Sequence, residues 1–244
     1  MNNIYRKEEL EILRGQWGEE CHTFYPSDQE KYIGFGDVVQ LSTLTLFPNT
    51  YKEGMKLYRN LEVVNIVFSG EVTYQDGLGT VSSFPKNTVQ VISPGSGVYQ
   101  VESNKSSEIL KLIQIGILPS RINTIPIRTH AIFNLEQYAN SFVELISPTP
   151  GPASLSLHQN TAILLGKFDT DRHIGYHIQE NDVGLLIYVV QGEIMINRRL
   201  VLSGESCGIL SAHDVMVHTE ADSIILLIET ILQRREQDSD YIYG

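Results

Sequence analysis

The sequence has few of the residues on which many sites depend, and each shortage excludes a class of protein. It holds two cysteines, Cys21 and Cys207, in no CxxC or zinc-finger spacing, which argues against a disulfide framework and against a structural zinc site. Glu19 and Glu20 precede Cys21, so we expect a raised thiol pKa and a reduced thiol, not a redox sensor. An HxH metal-binding pair occurs nowhere in the chain.

Basic residues are also scarce. There are 18 Lys and Arg against 29 Asp and Glu, a formal net charge of −11, and the densest basic cluster is the pair Arg234-Arg235. Nucleic acids and anionic membranes attract proteins through clustered cations, so we expect neither as a partner. No apolar run approaches the roughly 18 residues of a membrane span, and MNNIYRKEELEILRG has no export signal. We expect a cytoplasmic protein.

What the sequence does contain is β-strand pattern. Alternating or apolar runs such as VVQLSTLTLF, LEVVNIVFSGEVTYQDGLGTVSSF and ILKLIQIGIL are separated by glycine and proline turns. No long stretch keeps the 3.6-residue period of an amphipathic helix. The first part of the chain is therefore predicted to be an antiparallel β domain.

A change of composition divides the chain. Five prolines lie between Leu118 and Pro152, around one weak segment, NLEQYANSFVELI, that is compatible with a helical turn or with a strand. Strand pattern then resumes. We predict an N-terminal domain over 1–118, a proline-rich linker over 119–150, and a C-terminal domain over 151–244 that ends in a frayed tail.

The two domains read as copies of each other. IVFSGEVTY in the first and YVVQGEIMI in the second place a Gly-Glu step at the same point of the strand order, Gly70-Glu71 and Gly192-Glu193. A duplicated β-barrel domain would give such a repeat. The alternative is that both halves are simply rich in β-strands, because glycine is common between strands.

One family shows this pattern in detail. RNLEVVNIVFSGEVTYQDGLGTVSSFPKNTVQVISPGSGVYQVESN, followed by LIQIGILPS, resembles the pirin family of bicupins, as do RGQWGEECHTFYPS and FGDVVQLSTLTLFP. The matching positions are Arg59, Glu62, Gly70, Glu71, Asp76, Leu78, Gly79, Val89, Gln90, Gly95 and Gly97. The resemblance implies an all-β bicupin, with two cupin β-barrel (jelly-roll-like) domains in one chain.

The resemblance also marks a metal site that this sequence has altered. Iron-binding pirins present three histidines and one carboxylate, whereas the corresponding residues here are Lys56, Tyr58, Gln100 and Glu102. An ammonium group has no lone pair to donate to a metal. The chain thus resembles the bacterial members that lack the metal ligands, and we expect no metal and no cofactor.

Two functions stay open at this stage. The first is binding of a small molecule or a protein partner, with a regulatory or stress-related role. In that case Lys56 and Glu102 would face each other in the barrel mouth, although both could instead be solvated. The second is an oxidoreductase. It would either use Glu102, Tyr58 and Lys56 as acid–base groups, or be a metal-dependent, quercetinase-like dioxygenase that holds iron or another divalent metal through a non-standard ligand set. We assign no catalytic residues and lean against an enzyme.

The histidines of the second half offer no cupin metal site by sequence. Among His173 and His177, only His177 lies near the distance from Gly192 that a cupin ligand needs. His213 and His218 are five residues apart, which puts them on opposite faces of a strand.

Overall fold

The computed structural model describes residues 2–25, 34–151, 154–178, 182–210 and 213–232, and the predicted frayed tail lies outside these ranges. Two short 3₁₀ turns, Lys7–Glu9 and Leu135–Tyr138, interrupt a fold that otherwise consists of strands. The predicted all-β bicupin is confirmed. No helix in the described ranges is long and apolar enough to cross a bilayer.

Twelve of the first thirteen strands form the first cupin, and the exception is β1. The strands are β1 (Asn2–Tyr5), β2 (Glu11–Gly15), β3 (Gly18–Phe24), β4 (Val38–Leu46), β5 (Thr50–Tyr51), β6 (Lys56–Tyr58), β7 (Glu62–Ser69), β8 (Glu71–Asp76), β9 (Val81–Pro85), β10 (Thr88–Ser93), β11 (Val98–Asn104), β12 (Leu110–Ile117) and β13 (Ile127–Ile132). A seven-stranded sheet has the order β13-β10-β7-β12-β4-β3-β2. A five-stranded sheet contains β5-β11-β8-β9, with β6 also paired to β11.

The remaining strands form the second cupin. They are β14 (Ser141–Ile146), β15 (Ala162–Phe168), β16 (His173–His177), β17 (Val183–Gln191), β18 (Glu193–Ile196), β19 (Arg199–Leu202), β20 (Ser206–Ile209), β21 (Asp214–Thr219) and β22 (Ser223–Ile231). Its larger sheet has the order β1-β20-β17-β22-β15-β14, so the first strand of the chain joins the second cupin. Its smaller sheet has the order β16-β21-β18-β19.

The two larger sheets pack against each other, and strand alternation explains how. Ile113 and Ile115 of β12 belong to the apolar cluster that also contains Leu226 and Ile228 of β22. Their neighbours Leu112 and Leu227 face the interior of their own cupin. Successive side chains of a strand point to opposite faces, so each large sheet has apolar side chains on both faces. The cupins are thereby held in one four-layered body.

The predicted linker, 119–150, holds more structure than its prolines indicate. It contains β13, which pairs with β10 of the first cupin, and β14, which pairs with β15 of the second. The ambiguous segment NLEQYANSFVELI forms both structures that its sequence allows, a 3₁₀ turn over Leu135–Tyr138 and then β14.

The Gly-Glu step lies at the same turn in both cupins. Gly70 separates β7 from β8 with a φ of 69°, and Gly192 separates β17 from β18 with a φ of 86°. Glycine adopts such angles more readily than residues that carry a Cβ. Space is short as well, since a Cβ on Gly70 would lie 2.9 Å from the Cα of Leu110.

Candidate functional site in the first cupin

A line of polar side chains crosses the seven-stranded sheet of the first cupin. The strand register places Gln90 opposite Asn65, Asn65 opposite Gln114, and Gln114 opposite Ser42. Residues that are directly opposite in a sheet share a face. We call this line the polar row, and its members are His130, Gln90, Asn65, Gln114, Ser42 and His22.

The four residues predicted for the site lie on the facing sheet. Lys56 is opposite Gln100 and Tyr58 is opposite Val98, where β6 pairs with β11. Gln100 and Glu102 are two residues apart, as are Lys56 and Tyr58, so each pair points to one face. Tyr58, Gln100 and Glu102 are buried.

Gln114 connects the two sheets. Its Oε1 accepts hydrogen bonds from Lys56 Nζ at 3.0 Å, from Tyr58 Oη at 3.0 Å and from Gln40 Nε2 at 2.6 Å. Its Nε2 donates to Glu102 Oε1 at 2.9 Å and to Asn65 Oδ1 at 3.0 Å. Tyr58 Oη also donates to Glu102 Oε1, at 3.3 Å. Lys56, Tyr58 and Glu102 therefore belong to one hydrogen-bonded network centred on an amide.

Within this network Lys56 and Glu102 do not touch directly. Among the described residues, Lys56 and Glu102 form no ion pair with each other. Instead, the Gln114 side-chain amide accepts from the Lys56 ammonium and donates to the Glu102 carboxylate. Gln100 has a different partner, because its Oε1 accepts from Arg128 Nη2 at 3.2 Å. The structure thus joins three of the four predicted residues and places the fourth beside a second cation.

Burial controls the charges in this network. It lowers the pKa of Lys56, and the carboxylates of Glu102 and Glu20 oppose that shift. Burial, together with the Glu102 charge, raises the pKa of Tyr58 well above its usual value. The phenol stays protonated and donates, while the Lys56 ammonium also lies 4.8 Å from the centre of the Tyr58 ring.

A second charged group borders the network. Lys52 forms an ion pair with the buried Glu20, and His22 Nε2 lies 3.6 Å from the same carboxylate. Burial lowers the pKa of His22, against the opposite effect of Glu20. A neutral His22 therefore stands at the end of the polar row.

Several buried polar atoms of the first cupin have no hydrogen-bond partner in the protein. They include both ring nitrogens of His22, Tyr74 Oη, Gln90 Nε2 and Gln100 Nε2. Tyr74 is opposite Glu102 in the sheet, so its hydroxyl belongs to the same interior. Each such atom costs roughly 1–3 kcal/mol when nothing satisfies it. Buried polar atoms without a protein partner call for an explanation, such as a catalytic role or a bound water, ion or ligand, so these atoms mark the candidate site.

Sequence reasoning missed Gln114 and the rest of the polar row. A signal was present, because VVNIV, VQVIS and LIQIG each carry one amide of the polar row inside an apolar strand, and VVQLS carries Gln40, which donates to Gln114. A single amide side chain in a strand buried on both faces needs a hydrogen-bond partner, and four such strands indicate that the amides bond to one another.

The first-cupin residues do not suit the iron that the resemblance implies. Lys56 donates to Gln114 and offers no lone pair, Tyr58 keeps its proton, and Gln100 Oε1 already accepts from Arg128. Glu102 is left as the one ordinary metal ligand of the four, and its Oε1 accepts two hydrogen bonds. A divalent transition metal needs several nitrogen, oxygen or thiolate donors.

The histidines considered from sequence lie mostly on the outside of the second cupin. His173 and His177 are the first and last residues of β16, His218 is in β21, and His213 precedes that strand. The interior of this cupin is apolar instead, formed by residues such as Leu185, Ile194 and Val217.

Comparison with known proteins places the chain. A family model described as Pirin matches residues 10–117, and one described as Quercetinase C-terminal cupin domain matches residues 144–230. The chain belongs to the pirin family. The resemblance read from the sequence is confirmed.

Similar pirin-family proteins have been named and solved. A quercetin 2,3-dioxygenase of Escherichia coli is 27% identical over 177 residues, covering 72% of this chain and 75% of that protein. A pirin-like protein of Caulobacter vibrioides is 23% identical over 173 residues, covering 70% and 74%. The crystal structure of YhhW from Escherichia coli matches with a TM-score of 0.86 at 23% identity, over 97% of this chain and 100% of that one. A second structure, the same bacterial pirin in complex with nickel(II), also matches with a TM-score of 0.86 at 23% identity, over 96% of this chain.

Proposed function

We propose that this pirin-family bicupin binds a small, acceptor-rich molecule between the two sheets of its first cupin, without a metal ion, and serves a regulatory or stress-related role. The observation that carries the proposal is the group of unsatisfied donors around the Gln114 network. Ligand binding would give those donors the partners that the protein does not.

The chemistry of these donors defines the ligand class. Gln90 Nε2, Gln100 Nε2 and Tyr74 Oη are buried and lack protein acceptors. Lys56 and Arg128 add two cations near Glu102. Donors and cations select oxygen acceptors, so the expected ligand carries carboxylate, phenol or carbonyl oxygens.

The absence of a metal from this proposal rests on Lys56. Its ammonium is linked to Glu102 through the Gln114 side-chain amide, and it supplies the positive charge that a metal ion would otherwise bring. A protein partner is compatible with the same role, as is a cytoplasmic location, and neither nucleic acid nor membrane belongs to the proposal.

Thermal unfolding with added ligand tests the binding. Benzoate serves as the carboxylate probe and quercetin as the polyphenol probe, each added to untagged protein. A ligand at 100 times its Kd stabilises the folded state by about 2.7 kcal/mol, so a bound probe raises Tm. Gln100→Leu should reduce the shift, whereas Lys111→Met, which removes an exposed lysine from β12, should leave it unchanged. Equal shifts in wild type and Gln100→Leu would refute this site.

A metal-dependent dioxygenase is the second candidate. It is favoured by the quercetin 2,3-dioxygenase name of the Escherichia coli relative and by the nickel(II) complex of the similar pirin structure. Iron or another divalent metal would then be held by Glu102 with unusual partners. Oxygen uptake with quercetin, measured with and without added Fe²⁺ or Ni²⁺, separates the two candidates. Turnover that needs the metal and disappears in Glu102→Ala would establish the enzyme.

A gain-of-function variant completes the test of the metal-free reading. Lys56→His, Tyr58→His and Gln100→His together restore three imidazoles beside Glu102. We expect the triple variant to acquire a tightly bound metal ion and the unmodified protein to contain less than stoichiometric metal at this site. Stoichiometric iron or nickel that leaves the wild-type protein when Glu102 is replaced by Ala would contradict the proposal.

A further inference from the structure

The outer face of the smaller sheet of the second cupin carries an unusual set of side chains. Ile174, Ile194 and Val217 point into the apolar interior, so their strand neighbours point outward. These neighbours form what we call the outer stripe, which consists of His173, His177, Met195, Met216 and His218. Met195 is opposite His218, and His218 is opposite His173, in one row across three strands.

Three metal-ligating groups converge at one end of the outer stripe. The imidazoles of His173 and His218 stack with ring centroids 4.5 Å apart, and His218 Nε2 lies 2.9 Å from Asp171 Oδ1. One ligand atom from each of Asp171, His173 and His218 lies within 4.8 Å of the others. Ligands at about 2.0–2.2 Å from a common ion lie at most about 4.4 Å apart. Asp171 and His173 are exposed, which leaves their side chains room to rotate toward a common ion.

A fourth residue orients the central imidazole. Glu220 Oε1 lies 2.8 Å from His218 Nδ1 and accepts a hydrogen bond from the protonated Nδ1. Without a metal, Nε2 donates its proton to Asp171 Oδ1. A metal ion would take the place of that proton, which is released to solvent, while Glu220 keeps Nδ1 protonated. Histidines that bind metals usually make such a contact through the second ring nitrogen. The arrangement therefore has both the ligands and the support that a metal site requires.

We propose that Asp171, His173 and His218 bind a late first-row divalent transition metal ion, with Cu²⁺ held most tightly and water completing its coordination. Two imidazoles and one carboxylate suit such ions, and the affinity of a given nitrogen and oxygen site rises toward Cu²⁺. Met195 is opposite His218 on the same face of the sheet. This proposal is independent of the function of the first cupin, because the two groups lie in different domains.

Copper titration of the untagged, full-length protein tests the site. Isothermal titration calorimetry with CuCl₂ should give one ion per chain, and the electron paramagnetic resonance spectrum should show two nitrogen ligands. Joint replacement His173→Gln and His218→Gln should abolish this binding. Glu220→Gln should weaken it by about 10- to 100-fold, because the orientation of His218 is lost.

The outer stripe provides its own control. His177 Nδ1 lies 2.8 Å from Asp214 Oδ1 on the same pair of strands, so it repeats the histidine–carboxylate contact without a second imidazole. His177→Gln should leave copper affinity unchanged, as should Lys111→Met in the first cupin. Unchanged Tm values of the surface variants will show that they fold. Retention of one tightly bound copper ion by the His173 and His218 double variant would overturn the proposal, as would an equal loss in His177→Gln.

Discussion

The Lys56–Gln114–Glu102 network makes a quantitative prediction about stability. Lys56→Met removes the cation and leaves the Glu102 carboxylate buried, with 5% of its residue surface exposed. The ammonium and the carboxylate are separated by the Gln114 amide, which corresponds to roughly 6 Å, and at an effective dielectric constant of about 20 their attraction is about 3 kcal/mol. Loss of one member of a buried charge pair costs roughly 3–5 kcal/mol. Because Tyr58 and Gln114 still donate to Glu102, we expect the lower end, about 3 kcal/mol.

The assay is a double-mutant cycle measured by urea denaturation. Lys56→Met, Glu102→Gln and the double variant are compared with wild type at pH 7, with Lys111→Met as the control that removes an exposed lysine. The double variant no longer contains an uncompensated charge, so it should be more stable than the sum of the single losses predicts. We expect a coupling free energy of about 2 kcal/mol, within the usual range for residues in one network. A coupling below about 0.5 kcal/mol would show that Lys56 does not compensate Glu102.

Three further results are expected. Burial lowers the pKa of His22 below 6.5, so on acidification the unfolded chain takes up the proton before the folded chain does. The free energy of unfolding, measured by urea denaturation, should therefore fall as the pH drops below 6.5. In His22→Gln this fall should be smaller. Gly70→Ala should lower the free energy of unfolding by roughly 2 kcal/mol or more, because the added Cβ meets the backbone of Leu110. Gly79→Ala is the control: its φ is 85° but no atom lies within 4 Å of the added Cβ, so it should cost about 1 kcal/mol. Equal losses in the two variants would refute the steric argument. Burial raises the pKa of Cys207 to about 11, and burial followed by the Glu19 charge raises that of Cys21, so iodoacetamide at pH 8 should alkylate both thiols slowly in native protein and rapidly after unfolding.

Much of the fold follows from the sequence because strand pattern is local. The alternation in VVQLSTLTLF and the Gly-Glu steps indicate strands and the turns between them without any knowledge of distant partners. Pairing is not local. IRTHAI, between the prolines of the predicted linker, becomes β13 because β10 offers it a free edge, and nothing in those six residues reveals that edge.

The site was predictable in its positions but not in its contacts. Strand alternation places Lys56 with Tyr58, and Gln100 with Glu102, on common faces. The bridging role of Gln114 depends on the packing of two sheets, which brings residue 114 to residues 56 and 102. The side-chain partner of Gln100, Arg128, likewise comes from a strand that the sequence did not indicate.

The position of β1 has a consequence for the order in which the protein assembles. Residues 2–5 leave the ribosome about two hundred residues before their hydrogen-bond partners, residues 206–209. Until then the opening strand has no native neighbour, and contacts of such long sequence separation form slowly. Once the strand docks, Arg6 forms an ion pair with Glu205 at 2.7 Å and the open edge of β20 is covered. Completion of the second cupin therefore depends on a strand that precedes the first cupin, and a fragment cut at the linker would expose that edge to other copies of itself.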